Sequence, residues 1–335
     1  MDDKERPPGA AGERPQLLVI RPPQVFQVYE EEFMAKFEVL KAYESTLPTE
    51  TFLRKYGRST RAVFCFGQSP ITAELLQHLP SLGLVVAAGT GVNHVDLAAC
   101  RRRGIAVTNT ADVFSEDTAD YAVGMLIDLM RKISSRDSSV RRRIWPLAGE
   151  FPVGFTFTLR NKRIGIVGWG NIGSKVARRL EPFGCTICYN SRTRKPSVPH
   201  SFYATACELA THSDILVICC SLTEKTRHLI NDDVMAAMGE KGFLVNIARG
   251  QVVDEKALVK RLVEGTIAGA ALDVFENEPT VPPELFGLDN VVLSPHRGAF
   301  TGEAFADAFG MVMANLEAFF SDKPLISPVT IDHLS

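Results

Sequence analysis

The chain contains no run approaching about 18 consecutive apolar residues, so nothing in it reads as a membrane-spanning helix. Neither charge is in excess. The 37 Lys and Arg stand against 39 Asp and Glu, and a net charge of −2 gives no global field for nucleic acid or a membrane surface. The basic runs Arg101-Arg102-Arg103 and Arg141-Arg142-Arg143 sit at expected helix ends, where cations suit the dipole. The seven cysteines (Cys65, Cys100, Cys185, Cys188, Cys207, Cys219, Cys220) are odd in number and lie mostly in apolar strands. Cys185-x-x-Cys188 has metal-like spacing but runs along a strand with no second pair nearby. Free thiols in a reducing compartment are therefore expected, with no disulfide and no metal site. The first 15 residues lack the apolar centre of a signal peptide and the acid-poor pattern of a transit peptide. They read as a disordered polar leader. The last four residues are not the Ser-Lys-Leu address, so the cytoplasm is the expected location.

What the chain has is alternation. Short apolar runs trade places with amphipathic stretches along all 335 residues, the mark of α/β architecture with parallel sheets, and the length favours two domains. Strands are expected at 17–20, 61–66, 84–88 and 105–108, with helical patterns at 31–40, 73–79 and 94–103 between them. A long helix is expected from Ser115 to Lys132, opened by Ser115-Glu116-Asp117, whose acids suit a helix N-terminus. Residues 146–160 form a connection without a clear period. Further strands are expected at 215–219, 243–245, 268–272 and 291–293, with a last helix over 302–320. The expected partition joins residues 16–113 and 303–335 in one domain, with 114–302 inserted as the other.

Within the insertion, the apolar strand beginning at Arg163 runs into Gly168-Trp169-Gly170-Asn171-Ile172-Gly173, and a helical pattern follows with Ile172, Val176 and Leu180 on one face. Gly168 allows the tight turn. Gly170 has no side chain to keep a pyrophosphate away, and Gly173 lets helix and strand pack closely. The helix N-terminus offers N–H groups to the phosphates. Flanked in this way, Gly-x-Gly-x-x-Gly reads as a dinucleotide-binding loop. The next strand, 185–189, ends where an NAD-binding unit carries Asp or Glu for the ribose hydroxyls. Here Asn190 stands, followed by Ser191-Arg192-Thr193-Arg194-Lys195. No carboxylate repels a 2′-phosphate, and Ser191, Arg192 and Thr193 offer donors to it, so NADP(H) is favoured over NAD(H).

Three polar clusters follow strands of the same unit: Asn246-Ile247-Ala248-Arg249-Gly250, Asp273 to Pro279, and Ser294-Pro295-His296-Arg297-Gly298. Ligands of open α/β sheets bind beyond the carboxyl ends of strands. Arg249, Glu278 and His296 supply what reduction of a carbonyl needs: a cation, a carboxylate to tune a proton donor, and the donor. Singly, each is as readily a cap or turn residue; in order along one dinucleotide fold they make a set.

With these motifs the chain resembles the D-2-hydroxyacid dehydrogenase family, over roughly residues 61–332. Gly89-Thr90-Gly91-Val92-Asn93-His94-Val95-Asp96, Val107-Thr108-Asn109-Thr110 and Ser221-Leu222-Thr223 add to the likeness, with Ser221 where Pro is usual. The resemblance implies a Rossmann-type doubly wound parallel sheet inserted in a smaller flavodoxin-like α/β substrate-binding domain. It implies that Arg249 binds the substrate carboxylate and polarises the keto oxygen, that His296 donates the proton, and that Glu278 holds its imidazole. It places Ile247 and Asp273 against the cofactor, Asp273 at the nicotinamide carboxamide, and backbone N–H groups of Thr90 and Gly91 at the substrate carboxylate. The plant-type members it most resembles are NADPH-dependent reductases of glyoxylate and hydroxypyruvate, yielding glycolate and D-glycerate. Hydroxyphenylpyruvate remains an alternative substrate, since side chains near Phe66-Gly67-Gln68 and Trp145 would set the pocket. A nucleotide-sensing, corepressor-like binding protein remains an alternative of another class. Similar formate dehydrogenases carry Gln in the place of Glu278, and long phosphoglycerate dehydrogenases continue into a regulatory domain. The resemblance also implies a homodimer, with the 115–132 helix and following loop at the interface and Trp145 reaching the partner's site.

Overall fold

Apolar runs of four or five residues are too short to be stable alone, so they pair edge to edge while intervening helices bury one stripe each against them. The computed structural model describes residues 14–67, 69–145 and 156–329. The chain divides into two compact units, Met1–Val113 with Gly302–Ser335, and Phe114–Thr301. Among the described residues no helix is long and apolar enough to cross a membrane.

The first unit begins β1 (Gln16–Val19), α1 (Gln24–Val28), α2 (Glu30–Lys36), β2 (Glu38–Lys41), α3 (Thr49–Tyr56) and β3 (Ala62–Cys65). It continues with α4 (Ala73–Gln77), β4 (Leu84–Ala87), α5 (Leu97–Arg102) and β5 (Ala106–Thr108). All strands are parallel in the order β2-β1-β3-β4-β5, the flavodoxin-like order. Two expected helices are shorter than their periodicity implied. The 31–40 pattern is helical only to Lys36; Phe37 is extended, and Glu38–Lys41 pairs with β1 as an edge strand. An edge strand half-covered on one face has the same mixed polarity as a surface helix, so pattern alone misassigned it. In the 94–103 pattern, His94 and Asp96 are bonded to Ile71 through the backbone (2.8 Å each), and the helix starts only after Asp96. The Asp96 carboxylate caps it by accepting the Ala99 N–H at 2.8 Å. The helix α3 had no expectation at all.

The second unit opens with α6 (Ser115–Arg131) and α7 (Ile133–Arg141), followed by β6 (Arg163–Val167), α8 (Asn171–Leu180), β7 (Thr186–Asn190) and β8 (Ser201–Tyr203). Then come α9 (Ala206–Thr211), β9 (Ile215–Ile218), α10 (Asp232–Met238), β10 (Phe243–Asn246), α11 (Glu255–Glu264), β11 (Gly269–Leu272) and β12 (Val291–Leu293). The helix expected to end at Lys132 does so, because Lys132 takes a left-handed φ of 57°; the helix α7 beyond it was not anticipated. The seven strands are parallel in the order β12-β11-β10-β9-β6-β7-β8. Counting from β6, the sheet runs both ways from its first strand, the doubly wound pattern, and the order reverses between β6 and β9. Side chains alternate between two cores: Ile164, Ile166, Val217 and Val245 face one, and Val167, Leu216, Ile218 and Leu244 the other.

The helix α12 (Gly302–Phe320) belongs to the first unit. Its fully buried Asn315 accepts the Ile326 and Ser327 N–H groups (3.0 and 3.2 Å) and donates to the Ser327 hydroxyl (2.9 Å). Ser327 in turn donates to the Asn109 carbonyl at 2.5 Å, and Val329 N–H reaches Val107 O at 2.8 Å, so the tail is stitched beside β5.

In the second unit α6 is clamped to α8 by charge. Glu116 receives Lys175 (2.6 Å) and Arg179 (2.7 Å), and Arg179 also reaches Asp120 (2.5 Å). The hydrogen bonds from Lys175 and Arg179 hold the Glu116 carboxyl down at about 2, from an ordinary value of 4.5. A carboxyl held low in the folded chain stabilises it above that ordinary value, and the contribution is lost as pH falls from about 4.5 toward about 2. Glu116→Gln is therefore expected to melt below the parent at neutral pH, with the gap closing across that acid window. A gap in melting temperature that stays constant down to the bottom of the window would refute the clamp. Because Glu116 is half-exposed, high salt should also shrink the difference.

Candidate active site

Strand register decides what meets what at one end of the second sheet. Asn246, Leu272 and Leu293 lie side by side at the ends of β10, β11 and β12, so the three polar clusters leave the same edge together. Asn246, almost fully buried, shapes the first exit: its Oδ1 accepts Ala248 N–H and its Nδ2 donates to Arg249 O, both at 3.0 Å. Arg249 leaves in extended conformation and donates from Nη1 to Ala248 O at 2.6 Å. Burial pushes its guanidinium below its ordinary value while the Glu278 carboxylate pulls it back. Gly250 sits where a Cβ would collide with the Phe275 carbonyl and Glu276 nitrogen, which brings the Arg249 segment hard against the second exit.

On that second exit, Glu278 Oε1 accepts Phe275 N–H at 3.1 Å and Oε2 meets His296 Nδ1 at 2.8 Å. Burial alone would raise the Glu278 carboxyl, but His296, the Phe275 N–H and Arg249 outweigh it and leave the group below its ordinary value. It is therefore an anion throughout the neutral range. The imidazole of His296 is half-exposed. With Nδ1 engaged by Glu278, Nε2 is the nitrogen turned to other work.

The glycine loop follows β6. Gly168 has φ of 99°, donates its N–H to Asn190 O at 2.9 Å, and has no room for a Cβ, which would lie 2.6 Å from Cys220. At Gly173 a Cβ would strike the Gly168 carbonyl, so helix and loop touch through glycine. Gly170 differs: a Cβ there would meet no protein atom within 4 Å, and no side chain caps the helix α8 that starts after it. Its open side and the uncapped N–H groups are a cradle of the right chemistry for a pyrophosphate. Trp169 packs on Tyr189 and His200 with ring centroids 4.8 and 5.2 Å away; Asn171 is exposed and Ile172 half-buried. Ile247 is buried beneath the first exit.

Past β7, Asn190 donates to Tyr203 O and Ala204 O (2.9 and 3.0 Å), so its amide secures β8 and offers no carboxylate to a ribose. Ser191 donates to Thr193 O at 2.7 Å, closing a small turn, and Arg192 and Thr193 are exposed. The hydroxyl of the fully buried Tyr189 accepts Lys195 N–H at 2.9 Å and pins the loop from below. Thr90 and Gly91 belong to the first unit, where Thr90 donates to Ala111 O (3.0 Å) and accepts from Asn109 Nδ2 (2.8 Å). Of the residues tied by sequence to substrate size, Gln68 lies outside the described residues, and Trp145 is exposed.

Only one of the seven histidines stood out in the sequence, yet His228 also bonds a carboxylate of the second exit, Glu276, at 2.8 Å. Glu276 is further held by Glu255, which accepts its N–H at 3.0 Å, and by Gln251, which donates to its carbonyl at 2.5 Å. Burial raises the Glu255 carboxyl, and Glu276 and Glu278 push the same way. Sequence spacing carries no sign of these contacts, which join residues 21 to 48 positions apart.

The family model for the NAD binding domain of D-isomer specific 2-hydroxyacid dehydrogenases matches residues 123–298. The chain belongs to that family. It is 48% identical over 325 residues to a glyoxylate/hydroxypyruvate reductase of Arabidopsis thaliana, covering 96% of this chain and 99% of that one. A hydroxyphenylpyruvate reductase of Plectranthus scutellarioides is 45% identical over 301 residues, 90% of this chain and 95% of the relative. Among solved structures, an NADPH-dependent glyoxylate/hydroxypyruvate reductase of Sinorhizobium meliloti in complex with NADP and malonate superposes with a TM-score of 0.86. It is 35% identical, covering 95% of this chain and 97% of that one. Membership in this dehydrogenase family agrees with two parallel α/β sheets and a dinucleotide loop in the second.

Proposed function

We propose that the chain is an NADPH-dependent reductase of small 2-oxo acids, taking glyoxylate to glycolate and hydroxypyruvate to D-glycerate. One observation carries the reading: the His296–Glu278 pair at 2.8 Å leaves the sheet beside the strand that delivers Arg249. The residues 16–113 and 303–335 form the substrate-binding domain, and 114–302 the dinucleotide-binding domain. Gly168 to Gly173, Ile247 and Asp273 hold the cofactor, which when bound supplies a hydride to C2 of the oxo acid. Arg249 binds the substrate carboxylate and stabilises the charge that grows on the keto oxygen. Glu278, an anion, holds Nδ1 of His296, and Nε2 delivers its proton to that oxygen. Thr90 and Gly91 give backbone N–H groups to the substrate carboxylate. The activities for which the relatives are named and the NADP held by the Sinorhizobium enzyme support the assignment.

NADPH oxidation followed with glyoxylate, hydroxypyruvate and hydroxyphenylpyruvate, each also with NADH, tests the reading. A kcat/KM highest for the aryl acid would move the substrate assignment to the alternative, and no turnover with any 2-oxo acid would leave a nucleotide-binding protein. The coenzyme preference has its own test. Ser191, Arg192 and Thr193 clasp the 2′-phosphate, and one charge-assisted contact is worth about 1.5–3 kcal/mol, or about 10- to 100-fold. Arg192→Asp should lower the NADPH-to-NADH ratio of kcat/KM by at least that factor, and an unchanged ratio would remove the loop from the phosphate.

A second copy of the chain is the proposed partner. The helix α7 buries none of its residues, and Ile133, Val140 and Trp145 expose more than half their surface. Sedimentation equilibrium at monomer mass would reject the dimer. The cytoplasm is the proposed location, supported by seven unpaired thiols, and a fluorescent fusion found in an oxidising compartment would reject it.

A further inference from the structure

We infer that Tyr121 and Ser294 form a hydroxyl relay which, through Asp273, aims His296, making both positioning residues for the proton donor. The inference rests on the proposed role of His296. Asp273 is 2% exposed, and its carboxylate serves one short segment. Oδ1 accepts the Ser294 hydroxyl at 2.5 Å and the Arg297 N–H at 2.7 Å, while Oδ2 accepts the Gly298 N–H at 2.9 Å. The backbone carbonyl of Asp273 accepts the His296 N–H at 2.8 Å. One residue thus holds the chain on both sides of the imidazole.

That grip has something to hold. His296 has φ of 58°, a left-handed conformation that is strained for a non-glycine residue and persists only where its surroundings impose it. Chemistry fixes the direction of the hydrogen bonds. A carboxylate only accepts, so Ser294 gives Asp273 its single proton and must itself accept at Oγ from Tyr121. The Tyr121 hydroxyl lies 2.6 Å away. Tyr121 stands on α6, whose Ala119, Ala122 and Leu126 are sunk in the core, so the relay ties the His296 segment to a rigid helix. Tyr121 and Ser294 also line a cavity of about 750 Å³, with room for water to replace a lost phenol, so Tyr121 should matter less than Ser294.

Ser294→Ala removes a hydrogen bond to a charged group and should lower kcat about 10- to 100-fold; Tyr121→Phe removes a neutral one and should lower it about 2- to 10-fold. Binding of NADPH, measured by calorimetry, should hold. A less firmly held imidazole spends less time against the Glu278 anion, 2.8 Å away in the parent. The alkaline limb of the kcat/KM profile should therefore move to lower pH in both variants, more in Ser294→Ala. A merely structural role would lower the melting temperature and leave that limb in place. His296→Ala separates the two layers of the argument. If it retains turnover, the proton-donor reading fails and the relay with it. If it is inactive while Ser294→Ala and Tyr121→Phe keep the parent kcat and pH limb, the relay alone is overturned. Should Ser294→Ala not fold, Tyr121→Phe decides by the same limb.

Discussion

His296→Ala is expected to lower kcat for glyoxylate reduction by about 10²- to 10⁴-fold, the usual worth of a positioned general acid, while NADPH binding is unchanged. The expectation follows from geometry. Nδ1 is committed to Glu278 at 2.8 Å, so in the proposed reaction Nε2 supplies the proton, and alanine has no substitute for it. Glu278 should share the phenotype in weaker form and with a different signature. Its carboxyl sits below its ordinary value, so its hold on the imidazole is complete through the neutral range and fails only in acid. Glu278→Gln keeps a hydrogen-bond acceptor but not the charge. Its activity should fall off at lower alkaline pH than the parent's, because the negative charge that faces Nδ1 is gone. Steady-state kinetics across pH provide the check: parent-level kcat in His296→Ala would place the proton donor elsewhere.

Arg249→Ala should be the other severe change, lowering kcat/KM about 10²- to 10³-fold, with KM for the oxo acid rising as well as kcat falling. The split matters because the guanidinium is assigned two tasks. Binding the carboxylate is felt in the ground state, and stabilising the keto oxygen only as charge develops there. Arg249→Lys keeps the charge but not the planar fork, so it should recover binding better than turnover. A variant that raised KM with kcat untouched would confine Arg249 to anchoring the substrate. Since the side chain is half-buried and Glu278 depends partly on it, the pH profile of Arg249→Ala should be compared with that of Glu278→Gln.

Much of this was legible in the letters. The glycine loop, the missing acid at Asn190 and the three strand-end clusters are local patterns, each set by the residues next to it. So are buried parallel strands, which read as unbroken apolar runs. The edge strand Glu38–Lys41 and the short helix α3 were not legible, because elements with one half-covered face carry mixed polarity that fits several structures. The start of α5 depends on bonds to Ile71, and the helix α7 begins from the left-handed backbone at Lys132, which no spacing reveals. The supporting contacts of the site escaped for the same reason. Tyr121 meets Ser294 across 173 positions, and His228 meets Glu276 across 48, so only the folded sheet brings them into reach.

The three chemical groups lie in the segments that leave neighbouring strands of a parallel sheet, and adjacent strands are held about 4.8 Å apart by their own hydrogen bonds. The backbone ladder therefore acts as a ruler for the points from which those segments start, and the exits carry cation, carboxylate and imidazole from successive marks. Loops elsewhere in the chain can lengthen, shrink or change composition to admit a different acid without disturbing those intervals.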